Sequence, residues 1–217
     1  VHGLLDDLPE EQLASPPAPG ANTVAWLVWH LTRILDGSVA ALPVPAADPT
    51  ETDRLASALG ADEPIDDAVS LVVATSGTTG IPKGAMHTPS TLAASAAATE
   101  ARLGGPGGWL LALPPHHIAG LQVLLRSLRA GHAPVVIDVS DGFDPADLIA
   151  GIEAMTGTRR YTSLVPTQLI KTLEDPSAAA ALREVDAVLV GGAATPPLLA
   201  QRAIDAGIPI VRTYGMS

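Results

Sequence analysis

The 217-residue sequence contains no cysteine, which excludes disulfide bonds, thiolate metal sites and a cysteine nucleophile. Aromatic residues make up only 3% of the chain, so the hydrophobic share of 47% is mostly aliphatic. Lysine occurs only twice and the net charge is −11, which argues against nucleic acid as a partner, because clustered lysine and arginine bind phosphate backbones. No apolar run reaches the ~18 residues of a membrane span, and no signal peptide opens the chain. These absences predict a cytoplasmic protein without a membrane or nucleic-acid partner.

The most informative stretch begins with residues 71–75, an apolar and β-forming run that predicts a buried strand. The composition then changes at once to glycines, hydroxyl residues and one lysine. Because glycine lets the backbone curl, N–H groups and hydroxyls can face one concavity that has the lysine at its end. Such a cradle suits a polyphosphate, and a polar surface loop after a strand is the alternative. The candidate phosphate-binding residues are Thr75, Ser76, Gly77, Thr78, Thr79, Gly80 and Lys83.

The spacing of this loop excludes a Walker A motif, which requires four residues between its first glycine and a Gly-Lys-Ser/Thr ending. Residues 75–83, Thr-Ser-Gly-Thr-Thr-Gly-Ile-Pro-Lys, resemble instead the phosphate-binding signature of the adenylate-forming superfamily, which includes the acyl- and aryl-CoA synthetases. The resemblance implies binding of ATP with Mg²⁺, attack of a carboxylic acid on the α-phosphate, and transfer of the acyl group to coenzyme A. It also implies a catalytic role for Lys83.

Three further phrases resemble one branch of that superfamily, the actinobacterial o-succinylbenzoate–CoA ligases of menaquinone biosynthesis. They occupy residues 63–67, 159–166 and 213–217. The resemblance therefore implies an ATP-dependent acid–CoA ligase that acts on o-succinylbenzoate. Another acyl-CoA synthetase, an amino-acid adenylation domain and a non-catalytic nucleotide-binding remnant are alternatives that the sequence leaves open. It also leaves open a homo-oligomer.

Three other motifs carry the remaining site residues that the resemblance implies. The element Pro-x-x-His-x-x-Gly at 114–120 makes His117 a catalytic and acid-binding residue and leaves His116 exposed; a solvent-facing histidine at a helix N-terminus is the alternative for His117. A strand that ends in paired glycines lies beside the adenine and the acid, and a tyrosine in the last motif stacks on the adenine. The final serine bonds the α-phosphate. These nucleotide- and acid-binding residues are His117, Gly191, Gly192, Ala193, Tyr214, Gly215 and Ser217.

From residue 68 onwards, predicted strands alternate with predicted helices, which is typical of an α/β fold with a mostly parallel sheet flanked by helices. Ligands bind beyond the carboxyl ends of the strands in such sheets, so we expect the cradle, His117, Gly191 and Tyr214 to meet at one edge. The predicted strands are 71–75, 109–113, 133–139, 161–164, 187–190 and 209–212. The predicted helices are 90–103, 118–130, 145–155 with Asp144 as its cap, 167–173 and 196–206.

Composition divides the chain into three parts. Residues 1–40 are a helical N-terminal segment that resembles the start of the DinB-like, mycothiol-dependent metalloproteins. Residues 41–67 are an acidic, proline-rich linker with a short helix over 52–59, and residues 68–217 are an ATP-binding α/β domain. His30 lies where the DinB-like family has its first metal ligand, but the chain has no His-x-x-x-His pair to supply the others, so we expect no metal site. A DinB-like metal-binding module is the alternative from another functional class.

The resemblance further implies that the α/β domain is truncated at its C-terminal end. In the superfamily the main Mg²⁺ ligand is a glutamate that directly follows the position of Ser217, and a catalytic lysine lies on a later domain. We therefore expect this chain by itself to bind nucleotide weakly at most and to lack catalytic activity.

Overall fold

The computed structural model describes residues 40–45, 48–75 and 82–214. The predicted segment 1–40 with His30, most of the cradle, Gly215 and Ser217 therefore lie outside the described residues, apart from residue 40 itself. The described helices are α1 (Pro49–Leu59), α2 (Pro89–Leu103), α3 (Ile118–Arg129), α4 (Pro145–Ala154), α5 (Pro166–Glu174), α6 (Pro176–Leu182) and α7 (Pro197–Asp205). The described strands are β1 (Leu71–Thr75), β2 (Lys83–His87), β3 (Gly108–Leu111), β4 (Val135–Val136), β5 (Arg160–Leu164), β6 (Ala187–Val190) and β7 (Ile210–Arg212).

The described residues divide into two compact units, the first from residues up to Thr99 together with His116–Ile118, the second from residues 100–115 and 119–214. The first unit is organised around β1 and β2, which pair antiparallel from Leu71 opposite His87 to Thr75 opposite Lys83. The side chain of Leu71 is fully buried.

Helix α1 also belongs to the first unit, and both of its ends are capped. The Asp48 carboxylate accepts a hydrogen bond from the backbone N–H of Glu51 at 2.9 Å, as expected of an N-cap residue. At the other end Gly60 adopts a left-handed conformation with φ of 65°, and its N–H donates to the carbonyl of Ala56. The helix therefore has fixed limits on both sides.

The second unit contains a five-stranded parallel sheet in the order β4-β3-β5-β6-β7. Every residue of β3 and of β6 is buried, as expected of parallel strands that are covered on both faces. One face of the sheet packs on α4, α5, α6 and α7, whose contribution to the common core includes Leu148, Ile152, Leu169, Leu182, Leu199 and Ala203.

The opposite face of the sheet packs on α3. Trp109 and Tyr161 lie side by side on neighbouring strands with ring centroids 5.1 Å apart, and the guanidinium of Arg126 in α3 lies 5.3 Å from the centroid of the Trp109 ring. Helices thus cover both faces, which confirms the predicted α/β class. Among the described residues, no helix has the length and apolar character needed to cross a membrane.

One expectation about strand pairing is wrong. We expected β1 to share the parallel sheet with the other strands, but in the described part of the chain it pairs antiparallel with β2 in a separate two-stranded sheet. The sequence Lys-Gly-Ala-Met-His of β2 had not been predicted as a strand, because lysine, glycine and alanine are depleted in strands. Hydrogen bonding to β1 overrides this weak local preference.

Two other elements differ from their predictions. The strand expected over 133–139 shrinks to β4, two residues that pair with β3 at the edge of the sheet. Pro134, just before β4, has no N–H to donate to a ladder. Helix α6 was not predicted, although Asp175 caps it by accepting from the N–H groups of Ser177 and Ala178. The Asp-Pro pair at its start is a helix-start signal that could have identified it.

Candidate functional site

The ends of the predicted phosphate loop are held together by β1 and β2. Thr75 and Lys83 are partners in the antiparallel register, and the Thr75 hydroxyl donates to the Lys83 carbonyl oxygen at 3.1 Å. β1 and β2 therefore form an antiparallel pair at this point, and residues 76–81 between them lie outside the described part of the chain. The side chain of Lys83 is exposed at the end of this loop. The Thr75 hydroxyl therefore uses its proton to hold β1 and β2 together at this end of the hairpin.

The two adjacent histidines lie in the same compact unit as this hairpin. Their ring centroids are 4.2 Å apart and the rings are tilted by 51°. The expectation that His116 is exposed is wrong, since His116 is half-buried and it is His117 that is exposed. Burial lowers the pKa of His116, the neighbouring His117 lowers it further, and the charge of Glu51 opposes both effects. The assignment of His117 as a catalytic and acid-binding residue stays a prediction.

Glu51 lies in the segment predicted as an acidic, proline-rich linker, and no site role was expected of it. Its carboxylate makes a two-point ion pair with Arg54, in which Nε and Nη2 of the guanidinium each donate at 2.6 Å. This pair lowers the pKa of Glu51 and keeps the carboxylate ionised. The spacing of three residues within a helix was the sequence signal for the pair, but nothing local indicated its proximity to His116.

In the second unit, the structure brings Gly191 and Thr213 together beyond the ends of β6 and β7. The Thr213 N–H and hydroxyl both donate to the Val190 carbonyl, at 2.9 and 3.2 Å. A side chain on Gly191 would collide with the Thr213 hydroxyl, so the absence of a Cβ is a packing requirement here. Tyr214 follows directly, with its side chain 92% exposed. Gly191 and Tyr214 are thus close in space, and their roles with Gly192 and Ala193 in binding nucleotide remain predictions.

A cavity of about 250 Å³ lies near the carboxyl ends of β3 and β5. Its walls are mostly apolar, which suits a small organic group better than a phosphate. It is lined by Pro114, Val139, Phe143, Val165, Thr167, Gln168 and Lys171.

A larger concavity of about 610 Å³ beside it is strongly acidic and would repel a polyphosphate. Two of its carboxylates already cap helices, those of Asp144 and Asp175. The carboxylates that line it are Asp138, Asp141, Asp144, Asp147, Glu174 and Asp175.

Comparison of the sequence with known proteins finds matches over most of the chain. The family described as "AMP-binding enzyme" matches residues 28–217. The "Probable 2-succinylbenzoate--CoA ligase" of Mycobacterium tuberculosis is 55% identical over 199 residues, which make up 92% of this chain and 51% of that protein. The chain therefore spans about half the length of this curated relative. The family match begins inside the segment 1–40, and the domain boundary at residue 40 remains a prediction.

Comparison with solved structures finds the same kind of protein. The O-succinylbenzoate coenzyme A synthetase of Bacillus subtilis in complex with AMP gives a TM-score of 0.57 at 32% identity, covering 71% of this chain and 40% of that one. A malonyl-CoA ligase in a ternary product complex with methylmalonyl-CoA and AMP gives a TM-score of 0.69 at 25% identity, covering 93% of this chain and 50% of that one. The α/β architecture is common to all three.

Proposed function

Because the chain belongs to the AMP-binding enzyme family, as its motifs predicted, we propose that it forms the nucleotide-binding part of an AMP-forming acid–CoA ligase. A carboxylate oxygen attacks the α-phosphorus of ATP, and the bond to pyrophosphate breaks. The thiol of coenzyme A then attacks the acyl carbon, loses its proton and releases AMP. The identity of 55% to a 2-succinylbenzoate–CoA ligase makes 2-succinylbenzoate the acid that we propose.

The observation that carries this proposal is the closed hairpin with its exposed lysine. A loop of glycines and hydroxyl residues joins two paired strands, and the Thr75–Lys83 hydrogen bond holds its ends together. Negative charge spreads over the phosphate oxygens during displacement at phosphorus, and catalysis of that step depends on positioning and electrostatic stabilisation. Lys83 supplies one positive charge at this loop, and loop N–H groups and hydroxyls supply hydrogen bonds.

Mg²⁺ is a cofactor that the superfamily implies, and its ligands are not identified among the described residues. No group of three or more histidine, aspartate or glutamate side chains in that part of the chain could hold a metal ion. We therefore assign no Mg²⁺ ligand here and derive no step through the ion.

Substitution of each of the two lysines of the chain tests the nucleotide-binding proposal. Calorimetry with ATP compares the 217-residue chain with Lys83→Ala and with Lys171→Gln, a matched control whose ammonium donates to the Phe143 carbonyl in the second unit. We expect Lys83→Ala to weaken ATP binding at least tenfold and Lys171→Gln to leave it within twofold. Equal ATP affinity for the parent and Lys83→Ala would overturn the assignment and favour a non-catalytic remnant.

The acid is tested separately with non-hydrolysable acyl-sulfamoyl adenosines, which mimic the acyl-adenylate and require no turnover. We expect the 2-succinylbenzoyl compound to bind at least tenfold more tightly than the benzoyl, acetyl and phenylalanyl compounds. Equal affinity for all four would remove the proposed acid and leave the nucleotide assignment in place.

A further inference from the structure

Gly84, the residue directly after Lys83, occupies a position with no room for a side chain. A Cβ at this position would lie 2.6 Å from Cγ1 of Val72 and 3.4 Å from Cδ2 of Leu59. Carbon atoms in contact lie about 3.5–4.0 Å apart, so the first distance is a clash. The φ angle of Gly84 is not positive, and an L-residue could adopt this backbone. Glycine is therefore required here for space and not for conformation.

The clash involves the face of the hairpin that packs on α1. Side chains alternate between the two faces of a strand, so Gly84 lies on the face opposite to that of Lys83. Across the hairpin, Val72 is opposite Met86 and Gly84 is opposite Ala74 in the register. Leu59 is the last residue of the capped helix α1. The distance between β2 and α1 is therefore set at Gly84, where β2 has no side chain, one residue from Lys83.

We propose that Gly84 and Leu59 are positioning residues, which hold β2 at the distance from α1 and in the register with β1 that place Lys83 opposite Thr75. Val72 only occupies the space that a Cβ at position 84 would need. The proposal rests on the proposed function, because Gly84 and Leu59 act only through Lys83. A methyl group at position 84 must displace the Val72 side chain or push β2 away from β1 or from α1, and a shift of about 1 Å is needed to restore a normal carbon–carbon contact. Misplacement of a binding group by that amount is enough to cost up to about 100-fold in function.

The test adds a methyl group at position 84 and removes atoms at position 72 to make room for it. Gly84→Ala introduces the clash, Val72→Ala removes the Cγ1 atom that it meets, and the double variant restores the room. We expect Gly84→Ala to weaken ATP binding at least tenfold with Lys83 still present, and Val72→Ala/Gly84→Ala to return to within threefold of the parent. Val72→Ala alone should change the ATP affinity by less than threefold.

Gly151 provides the matched control for a purely structural effect. It lies in α4 of the second unit, its φ is not positive, and a Cβ there would lie 2.7 Å from Cδ1 of Leu110. Gly151→Ala and Gly84→Ala should both lower the melting temperature, but only Gly84→Ala should lower the ATP affinity of the folded chain. If Gly84→Ala does not fold, Leu59→Ala tests the same contact from α1, and we expect a three- to tenfold weaker ATP affinity.

Each result separates this proposal from the proposed function. Equal ATP binding by Lys83→Ala and the parent overturns both. If Lys83→Ala is impaired, the positioning proposal fails when Gly84→Ala binds ATP like the parent, when the double variant is not restored, or when Gly151→Ala is impaired to the same extent. If Leu59→Ala is used in place of Gly84→Ala, an ATP affinity equal to that of the parent also overturns the positioning proposal.

Discussion

The side-chain amide of Gln168 donates to the carbonyl oxygen of Ala112 at 2.7 Å and so joins the first turn of α5 to the end of β3. The other end of the same amide accepts from the Val165 N–H at 2.9 Å, just beyond β5. With only 7% of Gln168 exposed, this side chain satisfies two backbone groups beyond neighbouring strands of the parallel sheet.

Replacement of Gln168 by glutamate should destabilise the chain by about 1–3 kcal/mol. A carboxylate can still accept from Val165, but it cannot donate to Ala112, and a buried polar group left without its partner costs about that much. Urea unfolding at pH 7.5 measures the loss. Gln201→Glu is the control: Gln201 is exposed on α7, its amide donates only to the exposed Asp205 carboxylate, and the change should cost less than about 0.5 kcal/mol. Equal stability of the two variants would mean that the amide bridge contributes nothing.

Gly191→Ala should destabilise the second unit by about 1–3 kcal/mol, the usual cost of forcing extra atoms into a packed site. The clash is with the Thr213 hydroxyl, so Thr213→Ala in the Gly191→Ala background should recover most of the loss. Thr213→Val replaces the hydroxyl by a methyl group and should not recover it. Urea unfolding of the four chains decides the point, and similar behaviour of both second substitutions would disprove the steric explanation.

Glu100 should stabilise a buried cation. Arg126 is only 9% exposed, burial lowers its pKa to about 10, and the charge of Glu100 opposes this shift. Glu100→Gln should therefore destabilise the chain, and adding Arg126→Met should recover part of the loss because it removes the charge that was left without compensation.

Arg129→Gln is the control for this pair. Its Nε lies 3.8 Å from the Glu100 carboxylate on a partly exposed surface, so its loss should cost less than about 1 kcal/mol. Chemical unfolding of the parent and of these three variants measures the effects. A larger cost for Arg129→Gln than for Glu100→Gln would contradict the assignment of Arg126 as the cation that needs Glu100.

The chain should lose stability as the pH falls below about 6.5. Burial lowers the pKa of His87 and of His116 below the usual 6.5. Between the lowered value and 6.5 the unfolded chain binds protons that the folded chain does not, so the free energy of unfolding falls as the pH falls through that window. Urea unfolding between pH 7.5 and pH 5 should show a smaller decrease for His116→Gln than for the parent.

Glu51→Gln should increase the loss of stability at low pH, whereas His116→Gln should reduce it. The negative charge of Glu51 raises the pKa of His116, so its removal lowers that pKa further and widens the window in which stability is lost. The imidazole signal of His116 in NMR titrations measures the pKa directly, with assignment by comparison with His116→Gln. An unchanged midpoint in Glu51→Gln would show that the carboxylate does not act on this ring.

Local sequence was sufficient for a large part of the fold. The bounds of β1 and β6 agree with their predictions, and helix 118–130 differs from Ile118–Arg129 by one residue. Asp144 caps α4 as predicted, accepting from the Ala146 N–H at 2.8 Å. These features depend on neighbours in the chain: apolar β-branched runs, helical periodicity and short side chains that reach the next turn. The same holds for the loop motif that led to the family.

Contacts between distant residues decided the rest. Lys83 belongs to a strand only because β1 offers it an antiparallel partner, and no local preference in Lys-Gly-Ala-Met-His favours that conformation. Gly84 must be glycine because Val72 and Leu59 occupy the space around it, and His116 is more buried than His117 although the two are adjacent. Strand pairing and burial are properties of groups brought together by the fold, so these features became visible only when the chain was folded.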